Sequence, residues 1–310
     1  MTTVAIYHSS VPSTKNREKV DVLEYFGQGV WAAGDQRIDV RDHNIVEADV
    51  SVIQGWITQE RDLRHHLDLR RRVIDHCLGT GRKVVAIDSN LFLYADPKNS
   101  HHYLRYSFNS VFPDSGIYCD QPSDPARWRA ISQDLGISLR PYRRNGDHVL
   151  LLLQRNGGWS MAGTDVQDWA NSVIETLQQH TDRHIVVRAH PGDRAALQYL
   201  DPRTGQCRIK WKKSVRLSNN PDLRQDLQNC WAVVNHNSSP VVAAAIEGYP
   251  VFVTDPQRSQ CRDIANIDLA NIENPNLAER QAWIERLAMS HWKFTELQRG
   301  QAWRHMRQWV

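Results

Sequence analysis

Five consecutive apolar residues, Val149-Leu150-Leu151-Leu152-Leu153, stand between polar neighbours. A run of that length with no polar alternation fits a strand buried on both faces, as in parallel sheets covered by helices. Similar short runs recur. Residues 4–7, 48–56, 83–87, 184–188, 231–235 and 251–254 read as strands. Helix-length segments at 19–33, 60–78, 165–179, 221–229 and 239–247 separate them. Further helices are expected at 125–135, 277–288 and 295–309, the last interrupted by Gly300. Strands alternating with helices imply parallel βαβ crossovers, so the expected class is α/β. The pattern fades between residues 91 and 144 and resumes abruptly, which suggests a boundary at Gly146-Asp147. A chain of 310 residues suits two lobes of this kind. The expected domains are 1–146 and 147–310.

Composition narrows the class. With 41% hydrophobic residues, 24% charged and a net charge of +3, the chain has material for packed cores. It is not a strongly polycationic binder. Cys77, Cys119, Cys207, Cys230 and Cys261 stand far apart with no C-x-x-C pair, so neither a zinc knuckle nor a disulfide framework is readable. A reducing cytoplasm is therefore expected. The start, MTTVAIYHSS, lacks the pattern of a secretory signal, and no apolar run approaches the roughly 18 residues of a membrane span. Trp, at 11 residues, outnumbers both Tyr and Phe. Trp128, Trp159 and Trp211 are candidates for stacking on a substrate.

In open parallel sheets, ligands bind beyond the carboxyl ends of the strands. Three segments there carry chemistry. Gln154-Arg155-Asn156-Gly157-Gly158-Trp159-Ser160 follows the apolar run; Gly157 and Gly158 permit close backbone approach to an oxyanion, which Arg155 would neutralise. Arg188-Ala189-His190-Pro191-Gly192 ends the next strand, with Arg188 and His190 on one side if both are extended. Asn235-His236-Asn237-Ser238-Ser239-Pro240 opens a helix, where Ser238 or Ser239 is a natural N-cap and the helix start favours an anion. A plain turn explains the first about as well as a phosphate loop, and capping alone explains one serine of the third.

These residues support a resemblance. Arg188 to Pro191 and Ser238-Ser239 look like the His-Pro and Ser-Ser/Thr motifs of bacterial sialyltransferases and capsule Kdo transferases. The run S-S-x(8)-G-Y-P-V-F-V, ending at Val253, resembles the nucleotide-binding half of glycosyltransferases built from two facing Rossmann-like domains, the GT-B architecture. The segment from Gly146 to Met161, with H-W-K-F-T-E-L near the terminus, is similar to glycosyltransferase-like proteins of marine phages. The resemblance implies two Rossmann-like domains facing a central cleft that takes a nucleotide sugar, UDP- or CMP-linked. It implies donor binding by Arg155, Gly157, Gly158, Ser160, Arg188, His190, Asn237, Ser238 and Ser239. Such enzymes commonly place a Glu seven residues before the Pro of G-x-P-V to hold the donor ribose; here Ala243 stands there, and Glu247 lies one helical turn on.

In such folds the first lobe supplies the acceptor site and the base. His8 and Asp88, at predicted strand ends, are the catalytic candidates for deprotonating an acceptor hydroxyl. No metal or further cofactor is expected: no D-x-D motif is present, and the cations and helix start would stabilise the leaving group. For the acceptor, basic and aromatic residues interleave at Arg127-Trp128-Arg129, at Arg140 to Arg144, and in His101-His102-Tyr103-Leu104-Arg105-Tyr106. A second basic run holds Arg203, Arg208, Lys210, Trp211, Lys212, Lys213 and Arg216. Such segments suit a phosphate backbone and stacked bases, or else a solvated, aggregation-resistant edge. Together with the phage resemblance they favour DNA carrying a hydroxymethylpyrimidine as acceptor, with Arg105, Arg143 and Arg144 as contacts. A capsule or surface polysaccharide acceptor is the alternative, as is a nucleotide-sugar epimerase of the same architecture.

Overall fold

The computed structural model describes residues 1–12, 17–58, 64–92, 103–212 and 214–310, with the side chains of 17–20 and 159 not described. In chain order its strands are β1 (Thr3–Tyr7), β2 (Gln36–Val40), β3 (Val50–Gln54), β4 (Lys83–Asp88), β5 (Tyr103–Phe108), β6 (His148–Leu152), β7 (His184–Arg188), β8 (Val215–Leu217), β9 (Cys230–Asn235), β10 (Val251–Val253) and β11 (His291–Lys293). Its helices are α1 (Arg17–Ala32), α2 (His65–Gly79), α3 (Pro125–Leu135), α4 (Val166–His180), α5 (Ala196–Leu200), α6 (Leu223–Leu227), α7 (Pro240–Ile246), α8 (Gln281–Met289), α9 (Phe294–Gln298) and α10 (Gln301–Met306). Two compact units result. Unit 1 comprises Met1–Asp134 with Ile284–Val310, and unit 2 comprises Leu135–Trp283. They depart from a division at residue 146 in two ways: the change of unit comes at the end of α3, and the terminal helices belong to the first unit.

Unit 2 has a five-stranded sheet in the order β10-β9-β6-β7-β8, with every pairing parallel. Counting β6 first, that order is 3-2-1-4-5, the Rossmann half-fold. The apolar run supplies the central strand, and each residue of β6 is buried. α4 covers one face because Val166, Trp169, Ala170, Val173, Ile174 and Leu177 recur at helical spacing and all are buried. Its start is fixed by Asp165, whose carboxylate accepts from the N–H groups of Gln167 and Asp168. α7 is apolar all round and buried after Pro240, its alanines allowing close packing.

Unit 1 has a six-stranded sheet in the order β11-β5-β4-β3-β1-β2. β1 to β4 are mutually parallel; β5 runs antiparallel to β4, and β11 antiparallel to β5. The sequence pattern does not reveal β2, an edge strand with mixed polarity, or β5, which buries Arg105 and Ser107 inside the sheet. Core residues of β1, β3 and β4 pack with Val22, Leu23, Phe26 and Val30 of α1 and with Leu297, Trp303 and Met306 of the terminal segment. α1 meets α9 closely at Gly29, where a Cβ would collide with the Leu297 carbonyl. Arg304 and Arg307 donate to the Ala32 and Ala33 carbonyls at 2.9 and 3.1 Å, capping the end of α1. The basic terminal residues therefore close α1.

Candidate functional site

The carboxyl ends of unit 2's strands bring the sequence motifs together. The chain leaves β6 toward β7 on one side and reaches β9 on the other, so the β6 and β9 ends flank a topological switch point. There Gln154, after β6, donates to Asn237, after β9. Ser160 donates to Gln154 Oε1 at 2.6 Å, and Asn237 donates to Asp255 at 2.8 Å. One polar network thus joins the ends of β6, β9 and β10. Gln154 and Asn237 are nearly fully buried, so the network holds this rim rigidly.

His190 sits at the end of β7. The Gly192 N–H donates to its Nδ1 at 3.0 Å, which requires that nitrogen to be unprotonated and places the hydrogen on Nε2. Burial lowers its pKa, with Arg155 adding to the effect and Asp193 opposing it, so the ring is a neutral donor. Arg155 is exposed, and its guanidinium has no hydrogen-bonded partner among the described residues. Asp193 braces the neighbouring loop, accepting from the Asn156 N–H at 2.9 Å and the Tyr199 hydroxyl at 2.6 Å. In the β9–α7 connection the N–H groups of Ser238 and Ser239 have no intramolecular acceptor among the described residues. Arg155, His190 Nε2 and these two amides are donors that follow the carboxyl ends of β6, β7 and β9, groups of the kind that bind oxyanions.

Other residues are differently engaged. Arg188 is bonded to Asp226, which is 2% exposed, and donates to the Asn220 and Pro221 carbonyls. It clamps β7 to the segment before α6 and is not presented to a ligand. The Gly157 N–H donates to Asn156 Oδ1 and the Gly158 N–H to the Arg155 carbonyl, so both glycines serve the turn itself, Gly157 at φ +67°. Neither serine caps α7 through its side chain; Ser238 Oγ instead accepts from Asn235. Ala243 is buried, and Glu247 ends the helix. Sequence reasoning missed Thr254 and Asp255. The Trp169 indole donates to Thr254 Oγ1 at 2.9 Å, and His236 Nδ1 lies 2.8 Å from the same oxygen. No motif marks these positions; their place after a short apolar strand is the only signal.

In unit 1 the switch point lies between β1 and β3. His8 follows β1, and its Nε2 lies 2.6 Å from Asp39 Oδ1. Burial would raise Asp39's pKa, but hydrogen bonds from Arg37 and His8 hold it below the usual carboxylate range. An ionised carboxylate only accepts, so the His8 hydrogen is on Nε2. Nδ1 is buried and has no hydrogen-bond partner among the described residues. The donor atoms of His8, Glu24 and Asp39 lie within 4.8 Å of one another, a spacing that would suit a metal ion. Arg37 bonds both carboxylates at 2.6 and 2.7 Å and already supplies the positive charge there. Asp88, the other catalytic candidate, is paired with Arg105, which is 3% exposed. Two residues assigned different tasks from the sequence are each other's partner.

Some cations of the basic segments are paired with carboxylates. Arg127 is bonded to Glu296 and lies over the Trp292 ring, while Trp128 is buried. Arg208 pairs with Asp165 and Asp168, Lys210 with Glu175, and Arg203 with Asp201. Trp211 packs against the unit 2 core. Arg143, over the Tyr249 ring, and Arg144 are exposed and belong to unit 2. His101, His102, Lys213 and the Trp159 side chain lie outside the described residues.

No protein-family model matches the sequence, and none of the curated proteins does. Solved structures match the fold. KpsC of Thermosulfurimonas dismutans, a beta Kdo 2,4 transferase, aligns over 93% of this chain and 90% of its own with a TM-score of 0.55 and 12% identity. A beta Kdo 2,7 transferase structure of KpsC from the same organism aligns over 92% and 90%, with a TM-score of 0.49 and 10% identity. The UDP-GlcNAc 2-epimerase of Methanocaldococcus jannaschii, in complex with UDP-GlcNAc and UDP, aligns over 93% and 98%, with a TM-score of 0.35 and 10% identity. The chain has the GT-B type of fold, two Rossmann-like α/β units. No helix among the described residues is long and apolar enough to cross a membrane.

Proposed function

We propose that the protein is a glycosyltransferase that uses a nucleotide sugar. The observation carrying this reading is the set of donors on the unit 2 rim: Arg155, the Nε2–H of His190, and the free amides of Ser238 and Ser239, beside the Gln154–Asn237–Asp255 network. These groups suit the phosphate of a nucleotide, UDP- or CMP-linked. As the bond from the anomeric carbon to the phosphate oxygen breaks, negative charge gathers on that oxygen, where fixed donors lower the barrier. The reading needs no metal.

In unit 1 His8 is the candidate general base for an acceptor hydroxyl. Asp39 holds the ring by Nε2–H and stabilises the imidazolium formed. For the acceptor we favour a saccharide hydroxyl over a hydroxymethylpyrimidine in phage DNA, because Arg105 and Arg127, two of the cations on which a DNA groove would rest, are buried against Asp88 and Glu296.

The test is incubation of the protein with UDP- and CMP-linked sugars and three acceptor sets: acidic oligosaccharides, neutral oligosaccharides and hydroxymethylcytosine DNA. Mass spectrometry should find the sugar on an oligosaccharide. Transfer to DNA alone would replace the acceptor reading. Epimerised sugar nucleotide with no transfer would favour the epimerase reading, and no turnover of any donor would remove the enzymatic one.

A further inference from the structure

Arg70, in the second turn of α2, is a guanidinium that the proposed transfer leaves unused. It is partly buried, and its Nε donates to the Ser10 carbonyl at 2.7 Å. Among the described residues its two terminal nitrogens have no hydrogen-bonded partner, and no carboxylate pairs with it. Burial lowers its pKa to about 10, and Asp88 opposes that shift. Asp88 is itself bonded to Arg105, which is 3% exposed. Two guanidiniums thus depend on one acid, and a charge withdrawn from water without a partner is costly.

The backbone makes room for this guanidinium. It lies against Gly55, directly after β3, where a Cβ would come within 2.6 Å of Nη1; Gly55 also stands at φ +81°, which favours glycine. The turn His8–Ser10, which follows β1, joins these parts. Ser10 is fully buried; its carbonyl takes Arg70, and its Oγ accepts from the Gln54 N–H at 3.3 Å. The same two segments hold two buried acceptors that lack donors, His8 Nδ1 and Gln54 Oε1. Lone pairs of that kind repel an anion and suit hydroxyl groups. Free donors on Arg70 and free acceptors on His8 and Gln54 together complement a hydroxylated molecule that also bears an oxyanion. A neutral saccharide would leave the guanidinium unpaired, and a metal ion would be repelled by it.

We propose that Arg70 binds an oxyanion, carboxylate or phosphate, carried by the acceptor, through its two terminal nitrogens. With Nε committed to Ser10, those nitrogens form the open end of the fork, which meets two oxygens of one group. That the acceptor carries the oxyanion rests on the glycosyltransferase reading; the oxyanion site itself does not.

The binding arm titrates the whole isotope-labelled protein with glucuronate, inorganic phosphate and glucose. NMR follows the Arg70 Nε–H signal, identified by its loss in Arg70→Gln, and the Gly55 amide. Glucuronate or phosphate should shift both signals and glucose neither, and the anion that acts distinguishes carboxylate from phosphate. Read at Gly55, Arg70→Gln should weaken binding about tenfold. Arg70→Lys, which keeps the charge and loses the fork, should fall between, and Arg41→Gln, at an exposed arginine, should match the wild type. Unmoved signals with both anions, equal shifts with glucose, or undiminished binding in folded Arg70→Gln would overturn the site. Should Arg70→Gln not fold, the wild-type titrations and Arg70→Lys decide it. The transfer arm compares acceptor oligosaccharides bearing a carboxylate, a phosphate or neither. A lower KM for the charged acceptor, lost in Arg70→Gln, is expected. If the anion binds and transfer shows no preference for charged acceptors, the acceptor assignment fails; if the anion binds and no transfer occurs to any acceptor, the glycosyltransferase reading fails and the site remains.

Discussion

His190 and His8 are two imidazoles whose hydrogen-bond partners decide where the proton sits. In the proposed mechanism they have opposite tasks: His190 presents a hydrogen to an oxyanion, and His8 a lone pair to a hydroxyl. His8→Ala should lower kcat by about 10² to 10⁴ with nucleotide binding unchanged. Asp39→Asn should do much of the same damage, since a carboxamide can satisfy the other tautomer of His8; kinetics with nucleotide titration would check both. Arg188 behaves differently. Removing it leaves Asp226 buried and unpaired, so Arg188→Ala should cost about 3–5 kcal/mol in a urea melt, and Arg188→Met with Asp226→Leu should recover most of it. The sequence places Arg188 at a strand end but carries no sign of a partner 38 residues later. Motif position is legible in one dimension; the pairing that decides a residue's job is not.

At the scale of elements, the strands buried on both faces are legible because their composition is uniform. β6, β7 and β9 fall where apolar runs predict them. β5 escapes that reading because it buries a charge: Arg105 lies inside the sheet with Asp88 as its partner. α9 and α10 are legible as helix broken at Gly300, yet their place on α1 depends on Gly29, a residue with no local signal. Gly29→Ala should force the terminal segment off α1 and lower the urea midpoint, whereas Gly34→Ala, with open space around it, should act only through its positive φ. β11 adds a pH dependence. His291 is fully buried, and its pKa is lowered to about 3, chiefly by burial. An unfolded chain binds that proton near pH 6.5, so stability is complete above that value and falls as pH drops toward 3. His148, His190, His236 and His305 are shifted the same way. Urea midpoints should therefore decline below pH 6.5, less steeply in His291→Gln.

For the whole molecule, the alternation of strand and helix is enough to anticipate two α/β units, and only packing reveals that the first is built from both ends of the chain. A fragment of residues 135–283 should fold alone, with a cooperative melt, while residues 1–134 should not, lacking β11 and the Trp303 side chain that bonds Asp35 at 2.8 Å. Supplying residues 284–310 as a peptide should restore structure to the shorter fragment. In the proposed function the strand-end rim of unit 2 holds the nucleotide of a sugar donor. Calorimetric titration of the whole protein with UDP and with CMP tests it most directly, repeated on His190→Ala and His8→Ala. The account predicts that one of the two nucleotides binds, that His190→Ala weakens it by about tenfold or more, and that His8→Ala leaves it unchanged. Absence of binding by both nucleotides, or equal binding in His190→Ala, would contradict it.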